Sequence, residues 1–200
     1  TSEVIEYKGH TLHRIKALKN FGFVKEGQFG GWIENEKNLS QDDNAWIYGE
    51  AMAFGNAKVY DNAKVFGNAK VFGHARVYNN AEVFGYAEVC ENAKVCDNAD
   101  VYDFTKILGN AEIFGNATIK GDAKVHDAVD YIVFKNFWSS GRYFTWTISN
   151  NKWSVGCFYG TGEELIKKAY ADSEKSGREY ERVVRYVESI LADEKKEKSN

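Results

Sequence analysis

From Asn44 to Asp127 the chain repeats itself every six residues. Ala stands at 45, 51, 57, 63, 69, 75, 81, 87, 93, 99, 111, 117 and 123, and Thr105 is the one exception. Two residues after each stands Ile47, Ala53, Val59, Val65, Val71, Val77, Val83, Val89, Val95, Val101, Ile107, Ile113, Ile119 or Val125. Fourteen units in register, with no insertion, mark a structural repeat. A helix has no use for this period: a six-residue step drifts around a turn of about 3.6 residues and leaves no constant apolar stripe. A strand does. In Ala63-Lys64-Val65-Phe66, alternation sends Ala and Val to one face and Lys and Phe to the other. The residues that complete each unit, such as Asp61-Asn62, Gly67-Asn68 and Gly73-His74, tolerate positive φ and can turn a corner. The pattern predicts a short strand plus a corner, with three units closing a triangular coil. Successive coils then stack as parallel strands about 4.8 Å apart.

The aliphatic residue followed by a small one, as in Val59-Tyr60-Asp61-Asn62-Ala63, resembles the hexapeptide-repeat, left-handed β-helix family. The resemblance, not the period, implies the left hand, an exception to the right-handed crossover rule. The expected fold class is mainly β: a left-handed parallel β-helix over 44–128, an N-terminal β cap over 1–43 and a small C-terminal α+β module over 129–200. A bare β-helix end exposes strand edges and core, so both flanks are read as closing elements. Val4 to Tyr7 and Thr11 to Leu18 flank Lys8-Gly9-His10 as a hairpin. The glycines of Phe21 to Ile33 are read as bends. The Gly30-Gly-Trp-Ile33 and Leu39-Ser40 elements resemble the lead-in of bacterial and bacteriophage hexapeptide-repeat proteins, some of them labelled acyltransferases. That resemblance covers roughly residues 7–128.

Beyond residue 128 the period stops. Asp130 to Lys135, Arg142 to Ser149 and Lys152 to Phe158 read as three strands, the last two joined through Asn150-Asn151. Thr161-Gly-Glu-Glu164 is a capping-box helix start, with that helix running to about Ala171. A second helix is expected after Ser176-Gly177, with Tyr180, Val183, Val184, Val187, Ile190 and Leu191 on one stripe. Gly156-Cys-Phe-Tyr-Gly-Thr-Gly-Glu-Glu164 resembles C-terminal modules of phage proteins.

Charge narrows the function classes. With 26 Lys plus Arg against 29 Asp plus Glu, the formal net charge is -3. That argues against a wholly basic nucleic-acid binder. No apolar run reaches membrane-spanning length and no signal peptide is visible, so no membrane partner is expected. Three Cys without a Cys-x-x-Cys pair fit a reducing cytoplasm, here that of a bacterial host. Cys157, beside Trp153 and Phe158, reads as a core thiol.

The candidate residues fall into four groups. A corner His is the general base of the acyl-CoA-dependent enzymes that the repeat resembles, so His74 and His126 are the candidates for that alternative. His74 occupies a slot that is mostly Asn, and the coils lack the inserted loop of those enzymes, so a non-catalytic reading is preferred, with no cofactor. His10 and His13 point to opposite faces of a strand and make a poor metal pair. Outward positions one coil apart form aromatic ladders: Tyr48, Phe66, Phe84 and Tyr102 on one face, Phe54, Phe72, Cys90 and Leu108 on another, Tyr60, Tyr78, Cys96 and Phe114 on the third. Exposed apolar ladders mark an interface, and the first is taken for an oligomer contact. The resemblance implies a trimer. Lys58, Arg76 and Lys94 stack like charges beside Tyr60 and Tyr78, a pattern suited to a phosphate-bearing ligand, nucleotide or nucleic acid. A solvated stripe is the preferred reading. Trp138, Arg142, Tyr143, Trp146, Trp153 and Tyr159 are the residue types of interface hot spots and are read as a partner-binding surface. Together these point to an oligomeric binding protein, of phage origin by resemblance. Its partner would be a host protein or ribonucleoprotein, and its purpose to counter host defence. An acyltransferase and a virion scaffold are the alternatives.

Overall fold

The computed structural model describes residues 1–136 and 141–197, with side chains to residue 193. β1 (Val4–Tyr7) and β2 (His10–Lys16) form an antiparallel hairpin, and β3 (Phe29–Ile33) pairs antiparallel with β2. Fourteen two-residue strands follow, β4 (Trp46–Ile47) to β17 (Lys124–Val125). They stack as a parallel β-helix with three faces. Face I carries Trp46–Ile47, Lys64–Val65, Glu82–Val83, Asp100–Val101 and Thr118–Ile119. Face II starts at Met52–Ala53 and ends at Lys124–Val125, and face III runs from Lys58–Val59 to Glu112–Ile113. Each strand pairs with the one a full coil away, as Lys64 with Glu82 and Val65 with Val83.

The repeat explains the bore. Its Ala and aliphatic side chains are buried from Ala45 to Val125. Each aliphatic side chain that leaves water contributes on the order of 1.5–3 kcal/mol, and the small Ala lets three sheets meet around one axis. The corners need positive φ, which most take from glycine. Asp61, Asn79, Glu91, Asp97 and Asp103 adopt it as well, at φ between 57 and 62°. Four of these acidic corners do a second job. Each carboxylate accepts the corner N–H one coil on: Asp61 from Asn79 (3.0 Å), Glu91 from Gly109 (2.7 Å), Asp97 from Gly115 (2.9 Å) and Asp103 from Gly121 (3.0 Å). A glycine corner makes the turn but has no side chain to give that bond.

At the N-terminal end β3 runs parallel beneath Met52–Ala53. Gly30 and Gly31 are not bends, contrary to expectation, for neither has positive φ. A Cβ on Gly30 would strike the Ile47 carbonyl and one on Gly31 the Ala51 carbonyl. Glycine here lets one backbone lie against another. Asn38, fully buried, donates its amide to the carbonyls of Gly55 (3.1 Å) and Ala57 (2.9 Å), and Leu39 bridges to Val59.

At the C-terminal end β18 (Tyr131–Lys135), β19 (Tyr143–Thr147), β20 (Lys152–Val155) and β21 (Phe158–Gly160) form an antiparallel sheet in that order. The expected single strand over 152–158 is a hairpin instead, because Gly156 turns the chain at φ 55°. α1 (Gly162–Asp172) starts at the Thr161–Glu164 capping box, and α2 is Glu174–Glu197. The second helix begins before Ser176-Gly177, not after it. Gly177 lies against the Tyr170 ring, where a Cβ would not fit, so this glycine serves the packing of two helices.

Phe144, Trp146, Trp153 and Val155 face Leu165, Ile166, Val184 and Val187 of the helices. The other face of the sheet closes the last coil. Thr118 N–H donates to Thr145 Oγ1 (3.0 Å), Lys124 N–H donates to Ser149 Oγ (2.8 Å), and Tyr131 Oη donates to the Glu112 carbonyl (2.8 Å). Side-chain oxygens thus take the place of the next coil's backbone. Among the described residues, no helix is long and apolar enough to cross a membrane.

Candidate interaction surface

The three outward ladders have different fates. On face II, Phe54 is 3% exposed: the N-terminal hairpin lies over it, with Tyr7 edge-on at 5.7 Å and Phe72 stacked at 5.1 Å. Leu12 and Trp32 complete that cluster. The lower half of this ladder is therefore an internal contact and not an exposed one, which corrects the sequence reading. On face III, Tyr60 and Tyr78 stack at 5.0 Å, but Cys96 above them is 4% exposed. That ladder is interrupted.

Face I keeps its ladder. Phe66 and Phe84 stack at 4.6 Å and Phe84 and Tyr102 at 4.5 Å, all three half-buried. The rise of one coil is close to the spacing of stacked rings, so the repeat itself aligns them. At the adjoining corner Tyr86 and Phe104 stack at 5.2 Å and are 55% and 65% exposed. Five rings thus stand in two stacks, three on the face and two at its corner. Burial pushes the Tyr102 hydroxyl pKa up to about 12, with Asp103 and Asp100 adding to it.

The surroundings of the rings are charged. Lys120 takes the next position of the ladder and is 7% exposed, its ammonium 5.7 Å from the Tyr102 ring centre and 5.4 Å from that of Tyr159. Burial holds its pKa below the ordinary lysine range. Alongside the rings, Lys64 Nζ meets Glu82 Oε1 at 2.8 Å, and that bond raises the lysine pKa. Asp100 stands in register above Glu82, and burial followed by that like charge raises its pKa. Tyr48, below Phe66, packs against the core.

The expected partner-binding group is not one surface. Trp138 lies outside the described residues. Trp146 and Trp153 are 2% exposed each, which corrects the sequence reading. Alternation along β19 and β20 points them at the helices, and the Trp146 indole N–H is spent on Asn151 Oδ1 (2.9 Å). Tyr143 is half-buried beneath the Lys135 ammonium, at 5.6 Å, and Arg142 is exposed. Tyr159 packs onto the solenoid through Lys120.

Lys58, Arg76 and Lys94 do stand in register, beside Tyr60 and Tyr78. Lys94 is compensated by Glu112 at 3.5 Å. His74 is an exposed corner residue whose backbone N–H donates to the Glu91 carbonyl (2.7 Å). His126 is exposed as well, its N–H on Asp130 Oδ2 (2.7 Å), and it lies 52 residues further along the chain, nearly three coils on. Cys157 is exposed in the turn before β21 and is no core thiol, as Gly156 carries it out of the sheet. His10 Nδ1 bonds Glu34 Oε1 (2.9 Å) while His13 is exposed. Among the described residues, no three His, Cys, Asp or Glu side chains are grouped to hold a metal ion.

Sequence reasoning missed Tyr86, Phe104 and Lys120. The signal was there: two aromatics one coil apart in a corner slot that is mostly Asn, and a lysine in a slot that is mostly aromatic. No protein-family model matches this chain, and no curated protein does.

Proposed function

We propose that the chain is a non-catalytic, oligomeric binding protein of the hexapeptide-repeat kind, and that face I is the surface on which copies associate. One observation carries the reading: Phe66, Phe84 and Tyr102 stack on the face and Tyr86 and Phe104 stack at its corner, the last two more than half exposed. Apolar patches of this kind mark contacts in soluble proteins. The N-terminal hairpin covers the start of the face II ladder and Cys96 interrupts that of face III, so face I is where an outside partner gains most. The C-terminal module acts in this reading as the lid of the solenoid, since its tryptophans hold its helices. The likeness of residues 7–128 and of Gly156–Glu164 to phage proteins supports a bacterial-host macromolecule as the further partner, bound to counter host defence.

Light scattering on the purified chain tests the assembly. The expected result is an oligomer that Phe84→Lys converts to a folded monomer. A wild type that runs as a clean monomer overturns the reading. Release of free thiol from acetyl-CoA that His74→Asn abolishes would overturn its non-catalytic part.

A further inference from the structure

The first four coils of face I carry a ring ladder that reads the same from either end. It runs Tyr48, Phe66, Phe84, Tyr102, a palindrome centred between Phe66 and Phe84, and Lys120 takes the fifth place. The corner before these strands is asparagine throughout, Asn44, Asn62, Asn80, Asn98 and Asn116, so a reversal of the coils leaves it unchanged at any centre. The charged positions run Trp46, Lys64, Glu82, Asp100, and across that centre Lys64 stands opposite Glu82.

We infer that two copies of this chain pair face I to face I about a two-fold axis along the strands, with their solenoid axes antiparallel, so that Lys64 of each copy meets Glu82 of the other. The inference rests on the oligomer reading above and gives that assembly its symmetry.

An isologous contact uses one patch twice, so the patch must complement itself. Rotation about an axis along the strands keeps each side chain's place along its strand and reverses the order of coils. Phe66 then packs on Phe84, Tyr48 faces Tyr102, and Asn62 faces Asn80 with amides that can each donate and accept. Two Lys64–Glu82 pairs form across the contact, beside the pair inside each copy (2.8 Å).

The competing arrangements fare worse. Moving the centre up to Glu82 would set Glu82 against Glu82. A three-fold assembly, the one implied by the resemblance, has no use for a palindrome.

Charge reversal tests this on the full-length chain. Lys64→Glu and Glu82→Lys should each weaken association by about tenfold or more in sedimentation equilibrium, because like charges then face across the contact. The double variant Lys64→Glu/Glu82→Lys should regain the dimer, since residue 64 of one copy again meets an opposite charge at residue 82 of the other. Melting curves accompany each variant. The pair inside one copy is a surface pair worth under about 1 kcal/mol, so the single variants stay folded. A wild-type dimer that ignores the single reversals, or a double variant that stays monomeric, overturns this pairing while leaving face I as the contact. A wild-type trimer overturns the pairing too. A monomeric wild type overturns the oligomer reading itself.

Discussion

Tyr159 closes over Gly121. A Cβ on that glycine would run into the tyrosine hydroxyl, which instead donates to the Lys120 carbonyl (3.3 Å) and accepts from Asn150 Nδ2 (3.0 Å). The same asparagine also donates to Asp122 Oδ1 (3.0 Å), so one cluster ties β21 to the last corner of the solenoid.

Gly121→Ala is expected to cost more than a surface change should. The residue sits at φ 73°, which strains any side chain, and the added methyl displaces Tyr159. Together these predict a loss of about 1–3 kcal/mol. Tyr159→Phe keeps the ring over Lys120 and loses only the hydroxyl bonds, so it should cost about 1 kcal/mol. Chemical denaturation measures both. Equal costs would mean that the joint is not held by this close approach.

Thr105 is the one break in the alanine column, and its hydroxyl is fully buried with no hydrogen-bond partner. Thr105→Val keeps the shape and removes the unpaired oxygen. It should stabilise the protein by about 1 kcal/mol. Thr105→Ala removes a methyl as well, and the resulting void should offset most of that gain. A Val variant no more stable than Ala in denaturant melts would show that the hydroxyl is satisfied in solution.

Two carboxylates should give opposite pH signatures. Asp100 has a raised pKa, through burial and then Glu82, so its contribution is fully present below the unfolded pKa and is lost as pH rises through the folded value. Asp100→Asn should therefore be the more stable form at pH 7, with the gap closing in acid. Glu34 has a lowered pKa, through the His10 bond first and the Gly55 N–H (2.6 Å) next. Its contribution is present above the unfolded pKa and is lost as pH falls through the folded value. Glu34→Gln should be the less stable form at pH 7, and the difference should shrink in acid. Thermal melts across pH 3 to 8 distinguish the two; the same sign in both variants would contradict the assignment.

The coils were legible because every unit repeats the same local choice: an apolar pair at alternate positions, then a residue that accepts positive φ. Period and propensity agree, so the expected strands fall where Lys64–Val65 or Glu88–Val89 are found. The site was less legible. Trp146 and Trp153 look like interface residues in sequence, yet burial depends on which side of a four-stranded sheet the helices choose, and no periodicity carries that. Phe54 looks exposed by its slot, but a hairpin more than forty residues earlier in the chain covers it. Gly30 and Gly31 look like bends because close approach between backbones leaves the same residue in the sequence as a turn does.

Basic side chains stack on face III. Lys58 pairs in register with Arg76, and Arg76 with Lys94, at a spacing where like charges repel. Lys94 alone has a carboxylate above it, Glu112 at 3.5 Å. Arg76, flanked on both sides, therefore carries most of the repulsion. Arg76→Gln should stabilise the protein by a few tenths of a kcal/mol, up to about 1 kcal/mol, at low salt, and the gain should fade at high ionic strength as the charges are screened. The corner beside this strip carries Asp61 and Asp97, which a polyanion would have to approach. Titration with single-stranded RNA should accordingly show no saturable binding at physiological salt. If Arg76→Gln destabilises the chain at low salt, the guanidinium has a stabilising contact that outweighs the repulsion. If the wild type binds RNA with a steep salt dependence that Arg76→Gln flattens, the strip is a phosphate track and the solvated reading is wrong.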